Sequence, residues 1–294
     1  MMNHLAKRLI LANGRKIKGK KKLLFDAVIK QLKFAGNELV IYFIMQDDEV
    51  EKLYKKYVNQ NLAQIIIAGG DGFIHLALNQ WQTCNIPIGI IPLGTCNLFA
   101  KECGYSKDSN EIVKIIESGS VKPFFCGRAN QHLFATVAGC GIDSYVMHSI
   151  NWQWKKWFGR AYLIAAMLRK LVFSRPMIRI SINGQLSIEV STLLIAKGRY
   201  YAGSFCFAPK ASVFDKTLYA LYYRRKTFFH ELKLILALFM NRVNQKQEIS
   251  IIPIESLEIV AGISHPLQLD GDVRLMTPVI FTLEPQPRLV CVKN

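Results

Sequence analysis

The chain has 294 residues and a mass of 33.4 kDa, about two domains of ordinary size at roughly 150 residues each. Its 51% hydrophobic, 11% aromatic and 20% charged content excludes a mainly disordered chain. Lys and Arg number 38 against 21 Asp and Glu, a net charge of +17, which predicts attraction to nucleotide phosphate, anionic lipid or nucleic acid without choosing among them.

The cysteines (Cys84, Cys96, Cys103, Cys126, Cys140, Cys206, Cys291) form no Cys-x-x-Cys pair and predict reduced, mostly buried thiols. The opening MMNHLAKRLI lacks the apolar core and small-residue cleavage site of a signal peptide, so a cytoplasmic location is expected. The longest apolar runs, Ala161 to Leu168 and Leu234 to Met240, fall short of the roughly 18 residues needed to span a bilayer, so membrane contact is expected to be peripheral.

In chain order, β-rich runs alternate with helical periodicity. Arg8 to Ala12, Leu39 to Met45, Gln64 to Ala68 and Ile86 to Ile91 are predicted strands; Lys20 to Phe34, Glu49 to Asn59 and Phe73 to Gln80 are predicted helices. This alternation predicts a mostly parallel sheet wrapped by helices over residues 1–125. From Phe124 onward the pattern becomes one of short strands: Leu133 to Ala138, Met177 to Asn183, Ser187 to Ala196, Thr217 to Tyr223, Ile249 to Ile254 and Ser256 to Ala261. A β-sandwich over residues 126–275 is predicted, interrupted by helices near Trp154 to Phe173 and Thr227 to Asn241, with residues 276–294 able to pack back on the first domain.

Two strand-to-helix turns carry the chemistry. In QIIIAGGDGF a buried strand runs into Gly69, Gly70, Asp71 and Gly72 and then a helix. Glycines let backbone N–H groups approach a phosphate, and a helix N-terminus adds partial positive charge. A carboxylate there has a use if it holds a divalent cation or accepts a proton; it is also a helix cap. The second turn, IIPLGTCNLFA, places Thr95 and Asn97 as donors or caps beside Gly94, and two such turns from neighbouring strand ends form one crevice. His75 lies in the first turn and either faces phosphate or sits on the helix surface. The loop GRKIKGKKK after Asn13 either holds phosphates or is a solvated lysine run. The six histidines show no zinc-ligand spacing. Leu269 to Asp272 reads as a hairpin turn on its own, Asp-Gly flanked by alternating apolar residues.

These segments together resemble the diacylglycerol kinase and sphingosine kinase superfamily, in particular its bacterial soluble lipid kinases. The family's Gly-Gly-Asp-Gly-Thr matches Gly69 to Gly72, with Phe73 in place of Thr; its Pro-x-Gly-Thr-x-Asn-x-Phe-Ala matches Pro92, Gly94, Thr95, Asn97, Phe99 and Ala100. Phe134 to Asp143, then Lys156, Phe158, Gly159 and Tyr162, resemble the opening of the family's second domain. Ala208, Pro209, Ala211 and Asp215 resemble its Ala-Pro-x-Ala…Asp segment, and Leu269 to Asp272 its Asp-Gly-Glu with a shorter second acid. Leu76 for Glu, Lys216 for Gly and Gly14 for Pro are departures.

The resemblance implies a Rossmann-like, NAD kinase-like α/β domain followed by a β-sandwich, with ATP donating its γ-phosphoryl group to a lipid hydroxyl. It implies nucleotide binding by Asn13, Gly69, Gly70, Asp71, Gly72, Phe73, His75, Gly94, Thr95 and Asn97. The base is assigned to Asp270, supported by Asp272, with Asp71 as competitor. A Mg²⁺ site is implied at Asp215 with the backbone carbonyls of Ser212 and Thr217. Diacylglycerol, a sphingoid base or a related lipid is the expected substrate. Trp152, Trp154 and Trp157, interleaved with Lys155, Lys156 and Arg160, suit an amphipathic helix on an anionic membrane or a helix packed on the sandwich. No specific nucleic acid is expected, and oligomeric state is open. The alternatives are a catalytically impaired, basic membrane-binding member and an NAD kinase-like enzyme.

Overall fold

The computed structural model describes residues 7–81, 85–141, 144–145, 177–201, 203, 205–224, 249–260 and 262–294. The helices expected at 154–173 and 227–241, and the tryptophan-lysine segment, lie outside them. Two compact units divide the chain: residues 1–125 with 285–294, and residues 126–284.

The first unit contains β1 (Lys7–Asn13), α1 (Lys20–Phe34), β2 (Glu38–Ile44), α2 (Asp48–Tyr57), β3 (Gln64–Gly69), α3 (Asp71–Gln80), β4 (Ile88–Pro92), α4 (Leu98–Glu102), α5 (Ser109–Glu117) and β5 (Val121–Phe124). Strand β3 is buried along its whole length, as its β-branched run QIIIAG predicts for the centre of a parallel sheet. Helix α1 buries Phe25, Val28, Ile29 and Leu32, the i, i+3, i+4, i+7 stripe that one helix face requires.

The second unit contains β6 (Gly127–Ala129), β7 (His132–Phe134), β8 (Val137–Cys140), β9 (Ile178–Ile182), β10 (Leu186–Val190), β11 (Thr192–Ala196), β12 (Tyr200–Tyr201), β13 (Phe205–Cys206), β14 (Leu218–Tyr223), β15 (Ile249–Ile254), β16 (Ser256–Ile259), β17 (Pro266–Leu269), β18 (Asp272–Met276) and β19 (Val279–Leu283). The last strand, β20 (Arg288–Cys291), returns to the first unit.

The first sheet has the order β2-β1-β3-β4-β20-β5, parallel except for the β20–β5 pair. With this order the crossovers leave β1 and β3 in opposite directions. The switch point for a ligand therefore lies at the C-terminal ends of β1 and β3, where Asn13 and Gly69 stand.

Among the described residues the second unit has the two-stranded pair β12-β13 and two six-stranded antiparallel sheets, β10-β9-β16-β19-β6-β7 and β15-β14-β11-β8-β17-β18. Their inner faces share one core, in which Phe134 meets Phe281 edge-on at 6.3 Å and Leu193, Ile195, Leu257 and Leu267 are fully buried. Two segments read from sequence as single strands are each two strands. Leu133 to Ala138 breaks at Ala135 and Thr136, and Ser187 to Ala196 breaks at Ser191. In both cases the chain changes sheets at the break, and the freed backbone groups find other partners: Asp270 for Ala135 and Thr136, the Tyr223 carbonyl for Ser191.

Candidate active site

Strands β3 and β4 run side by side, with Gly69 opposite Pro92, so their two turns emerge together. Leu93 N–H donates to the Gly69 carbonyl at 2.9 Å, tying one turn to the other. A Cβ at Gly70 would lie 2.8 Å from Gly94 Cα, and one at Gly94 would lie 2.6 Å from Gly70 Cα and 2.5 Å from Asn97 Oδ1. These two glycines are thus required by the contact between the turns themselves. Gly69 is held differently: its missing Cβ would sit 2.5 Å from the Phe73 ring.

Asp71 opens α3 and is half-buried; its Oδ1 accepts from Phe99 N–H, at the start of α4, at 3.3 Å. The carboxylate therefore bridges both turns and meets a helix N-terminus on each side. Gly72, next to it, is also half-buried. Thr95 is exposed, and its hydroxyl has no hydrogen-bond partner among the described residues. At the end of β1, Asn13 is 4% exposed and its Oδ1 is buried without a partner. A buried, unsatisfied acceptor at a switch point calls for a donor from outside the fold.

The loop after Asn13 carries Lys16, Lys18, Lys20 and Lys21, none of which pairs with a carboxylate among the described residues; Arg15 and Lys22 are taken by Asp47 and Asp26. Burial, then the charges of Lys16 and Lys107, hold the Lys21 ammonium below the usual lysine value. The positive charges here crowd one another, which an anion would relieve. The two turns and this loop fit a nucleotide polyphosphate, the buried Asn13 Oδ1 fits an N–H or O–H donor such as those of a nucleotide's base or sugar, and Asp71 fits a cation carried with the phosphates.

Three of the expected nucleotide contacts have side chains engaged within the fold. The Phe73 side chain is buried against Gly69, and its N–H donates to the Gly70 carbonyl. His75 is 3% exposed and packs within α3 beside Asn79, whose amide donates to the His75 carbonyl at 2.9 Å, so it does not lie on the helix surface. Asn97 is buried in a left-handed conformation, φ 50°, with Oδ1 accepting from Gly94 N–H at 2.7 Å and Nδ2 donating to the Gly94 carbonyl at 3.0 Å. Its side chain is spent on bracing the Gly94 turn. Leu76 also lies in the core.

In the second unit, Asp270 and Gly271 form the two-residue turn between β17 and β18, both with positive φ (49° and 91°), the geometry of a type I′ hairpin. The Asp270 carboxylate is buried and accepts from Ala135 N–H (2.8 Å), Thr136 N–H (2.8 Å), the Thr136 hydroxyl (2.7 Å) and Val137 N–H (3.2 Å). Three donors crowd Oδ1 and one holds Oδ2 of a buried carboxylate, an arrangement that suits an anchor of the turn better than a general base. Asp272 is different. Its side chain is a third exposed and its Oδ2 is engaged by Arg274 at 3.1 Å.

One of the three expected Mg²⁺ ligands, the Ser212 carbonyl, is already taken by a cation of the chain itself. The Ser212 carbonyl accepts from the Lys197 ammonium at 2.5 Å, and the Asp215 carbonyl accepts from the same nitrogen at 2.6 Å. Asp215 is exposed, and Thr217 is half-buried one residue before β14. Sequence reasoning missed Lys197 because a lysine after the apolar run TLLIA reads as the solvated end of a strand. It also missed Thr136, and Arg288, whose guanidinium donates to the Leu78 carbonyl at 2.7 Å.

Residues 7–129 match the family model of the diacylglycerol kinase catalytic domain. A diacylglycerol kinase of Mycobacterium tuberculosis is 30% identical over 200 residues, 65% of this chain; the match spans 64% of the length of that relative. A diacylglycerol kinase of Staphylococcus carnosus is 25% identical over 266 residues, covering 89% of this chain and 86% of the relative. In fold, the chain superposes on the crystal structure of a diacylglycerol kinase from Bacillus anthracis with a TM-score of 0.80, at 21% identity and over 99% and 98% of the two chains. Residues 7–129 are thus similar to the diacylglycerol kinase catalytic domain, and the chain as a whole is similar to bacterial proteins named as diacylglycerol kinases.

Proposed function

We propose that this protein is an ATP-dependent lipid kinase, moving the γ-phosphoryl group of ATP to the hydroxyl of diacylglycerol, a sphingoid base or a related lipid. The observation that carries this reading is the pair of abutting turns at Gly70 and Gly94, with the crowded lysine loop at the end of β1. In this reading the backbone of the Gly69 to Gly72 turn, the Thr95 hydroxyl and the loop lysines orient the triphosphate. Mg²⁺, when bound with the nucleotide, would neutralise developing phosphate charge, and Asp71 is proposed as the side chain that holds it.

The lipid hydroxyl oxygen forms a bond to the γ-phosphorus as the bond to the β-phosphate oxygen breaks, and the hydroxyl proton passes to a carboxylate. Asp272 is proposed as that acceptor, because its carboxylate is a third exposed where that of Asp270 is buried and held by four donors. Asp270 positions the turn that carries it. The substitutions Phe73 and Leu76 need not impair this chemistry, since both side chains serve the core.

Peripheral contact with anionic membrane belongs to the same reading, supported by the net charge of +17 and by homology to lipid kinases. Among the described residues no helix is long and apolar enough to cross a membrane. The test is ATP turnover against a panel of detergent-dispersed lipids, with NAD as a soluble control and mass spectrometry of products. A phosphorylated lipid supports the proposal. Phosphorylated NAD, or no product from any acceptor, selects an alternative.

A further inference from the structure

Lys197 follows β11 and is fully buried, 0% exposed, among the largest side chains sealed in the fold. Its backbone N–H donates to the Thr136 carbonyl at 2.8 Å, and its ammonium reaches into the 212–215 loop, donating to two backbone carbonyls at 2.5 and 2.6 Å. Asp215 N–H returns to the Ser212 carbonyl at 3.2 Å, which closes the loop around the ammonium. A hard divalent cation bound by such oxygens sits about 2.0–2.6 Å from them. The lysine nitrogen already takes the Ser212 carbonyl, one of the three expected ligands, and the neighbouring Asp215 carbonyl, carrying the charge those dipoles attract.

We infer that the Lys197 ammonium is a built-in replacement for the divalent cation expected at Asp215, Ser212 and Thr217, so that this loop is ordered without metal. The two share the Ser212 carbonyl, and a divalent cation on that oxygen would stand beside a fixed like charge and be repelled. The replacement also ties the loop to the hairpin of the second unit. Lys197 and Gly198 N–H both donate to the Thr136 carbonyl, while Thr136 N–H and hydroxyl hold Asp270. The ammonium thus anchors one end of a hydrogen-bonded path that ends at the turn bearing Asp272. The inference does not depend on phosphate transfer.

The test is nucleotide-free Mn²⁺ binding by electron paramagnetic resonance, with thermal unfolding in Mg²⁺ and in EDTA, on the full chain. Wild type and Asp215→Ala should bind Mn²⁺ equally, and the wild-type Tm should be the same in Mg²⁺ and EDTA. Any ion held at Asp71 survives Asp215→Ala and is told apart in this way. Lys197→Met should lower Tm by roughly 5 °C or more in both buffers, because the carbonyls lose a charged donor. Lys197→Asn should gain a Mn²⁺ site that Asp215→Ala removes. A wild-type Mn²⁺ site abolished by Asp215→Ala, or a Mg²⁺-dependent rise in wild-type Tm lost in that variant, would overturn the inference. Those two wild-type comparisons decide it even where the Lys197 variants fail to fold.

Discussion

Thr136 holds Asp270 twice, through its backbone N–H at 2.8 Å and its hydroxyl at 2.7 Å, while its own carbonyl accepts from Lys197 and Gly198. The break between β7 and β8 and the turn between β17 and β18 are thereby one structure. Asp270→Asn should lose roughly 2–4 kcal/mol of stability, since an amide matches poorly a nest of four donors. Asp272→Asn should stay within about 0.5 kcal/mol of wild type. Urea unfolding of both variants checks this, and equal losses would remove the distinction between anchor and acceptor.

The first sheet was legible because its strands are continuous apolar runs and its helices carry clean stripes, as in β3 and α1. The second unit was legible in kind but not in its breaks. Leu133 to Ala138 is apolar throughout, and nothing local reveals that Ala135 and Thr136 leave the ladder for Asp270, a partner 134 residues away. The site was legible as two turns and obscure in its side chains. Asn97 and Phe73 look like ligands in a motif, yet serve Gly94 and Gly69; only packing separates a residue that touches a ligand from one that shapes the turn. Lys197 and Arg288 were hidden for the same reason, as cations buried by contacts distant in sequence.

The contact between Gly70 and Gly94 predicts that Gly94→Ala costs about 1–3 kcal/mol, because the new methyl meets backbone and a buried amide. Thr95→Ala, at an exposed hydroxyl without a partner, should leave stability unchanged and weaken ATP binding. Calorimetric titration alongside thermal unfolding tests both; unaltered ATP affinity in Thr95→Ala would remove that hydroxyl from the site.

Asn97 combines a left-handed backbone with a brace to Gly94. Asn97→Ala loses both, whereas Asn97→Gly keeps an accessible φ. The alanine variant should be the less stable by about 1 kcal/mol, measured by chemical denaturation.

Burial depresses the proton affinity of His265, whose Nδ1 lies 2.9 Å from the Tyr145 hydroxyl. The unfolded chain takes up this proton near pH 6.5 and the folded chain only at lower pH. The contribution of His265 is therefore complete above that pH and is lost as pH falls through the folded value. Urea midpoints should fall on acidification below pH 6.5, less steeply in His265→Gln. Identical slopes would remove His265 as a source of the dependence.

The lysine loop should bind polyphosphate through charge, so ATP affinity should fall as salt rises and fall further in Lys21→Ala. A salt-independent affinity would mark Lys16 to Lys21 as a solvated run with no part in the site.

The most direct measurement of the central claim is transfer of radiolabel from γ-labelled ATP to lipid in mixed micelles with Mg²⁺, comparing wild type with Asp272→Asn. The wild type should label the lipid phase. Asp272→Asn should remain folded, bind ATP normally and label lipid slower by a factor on the order of 10² to 10⁴, the usual loss for a general base. Labelling at the wild-type rate by Asp272→Asn would contradict the assigned acceptor, and a wild type that binds ATP yet labels no lipid would contradict the lipid kinase itself.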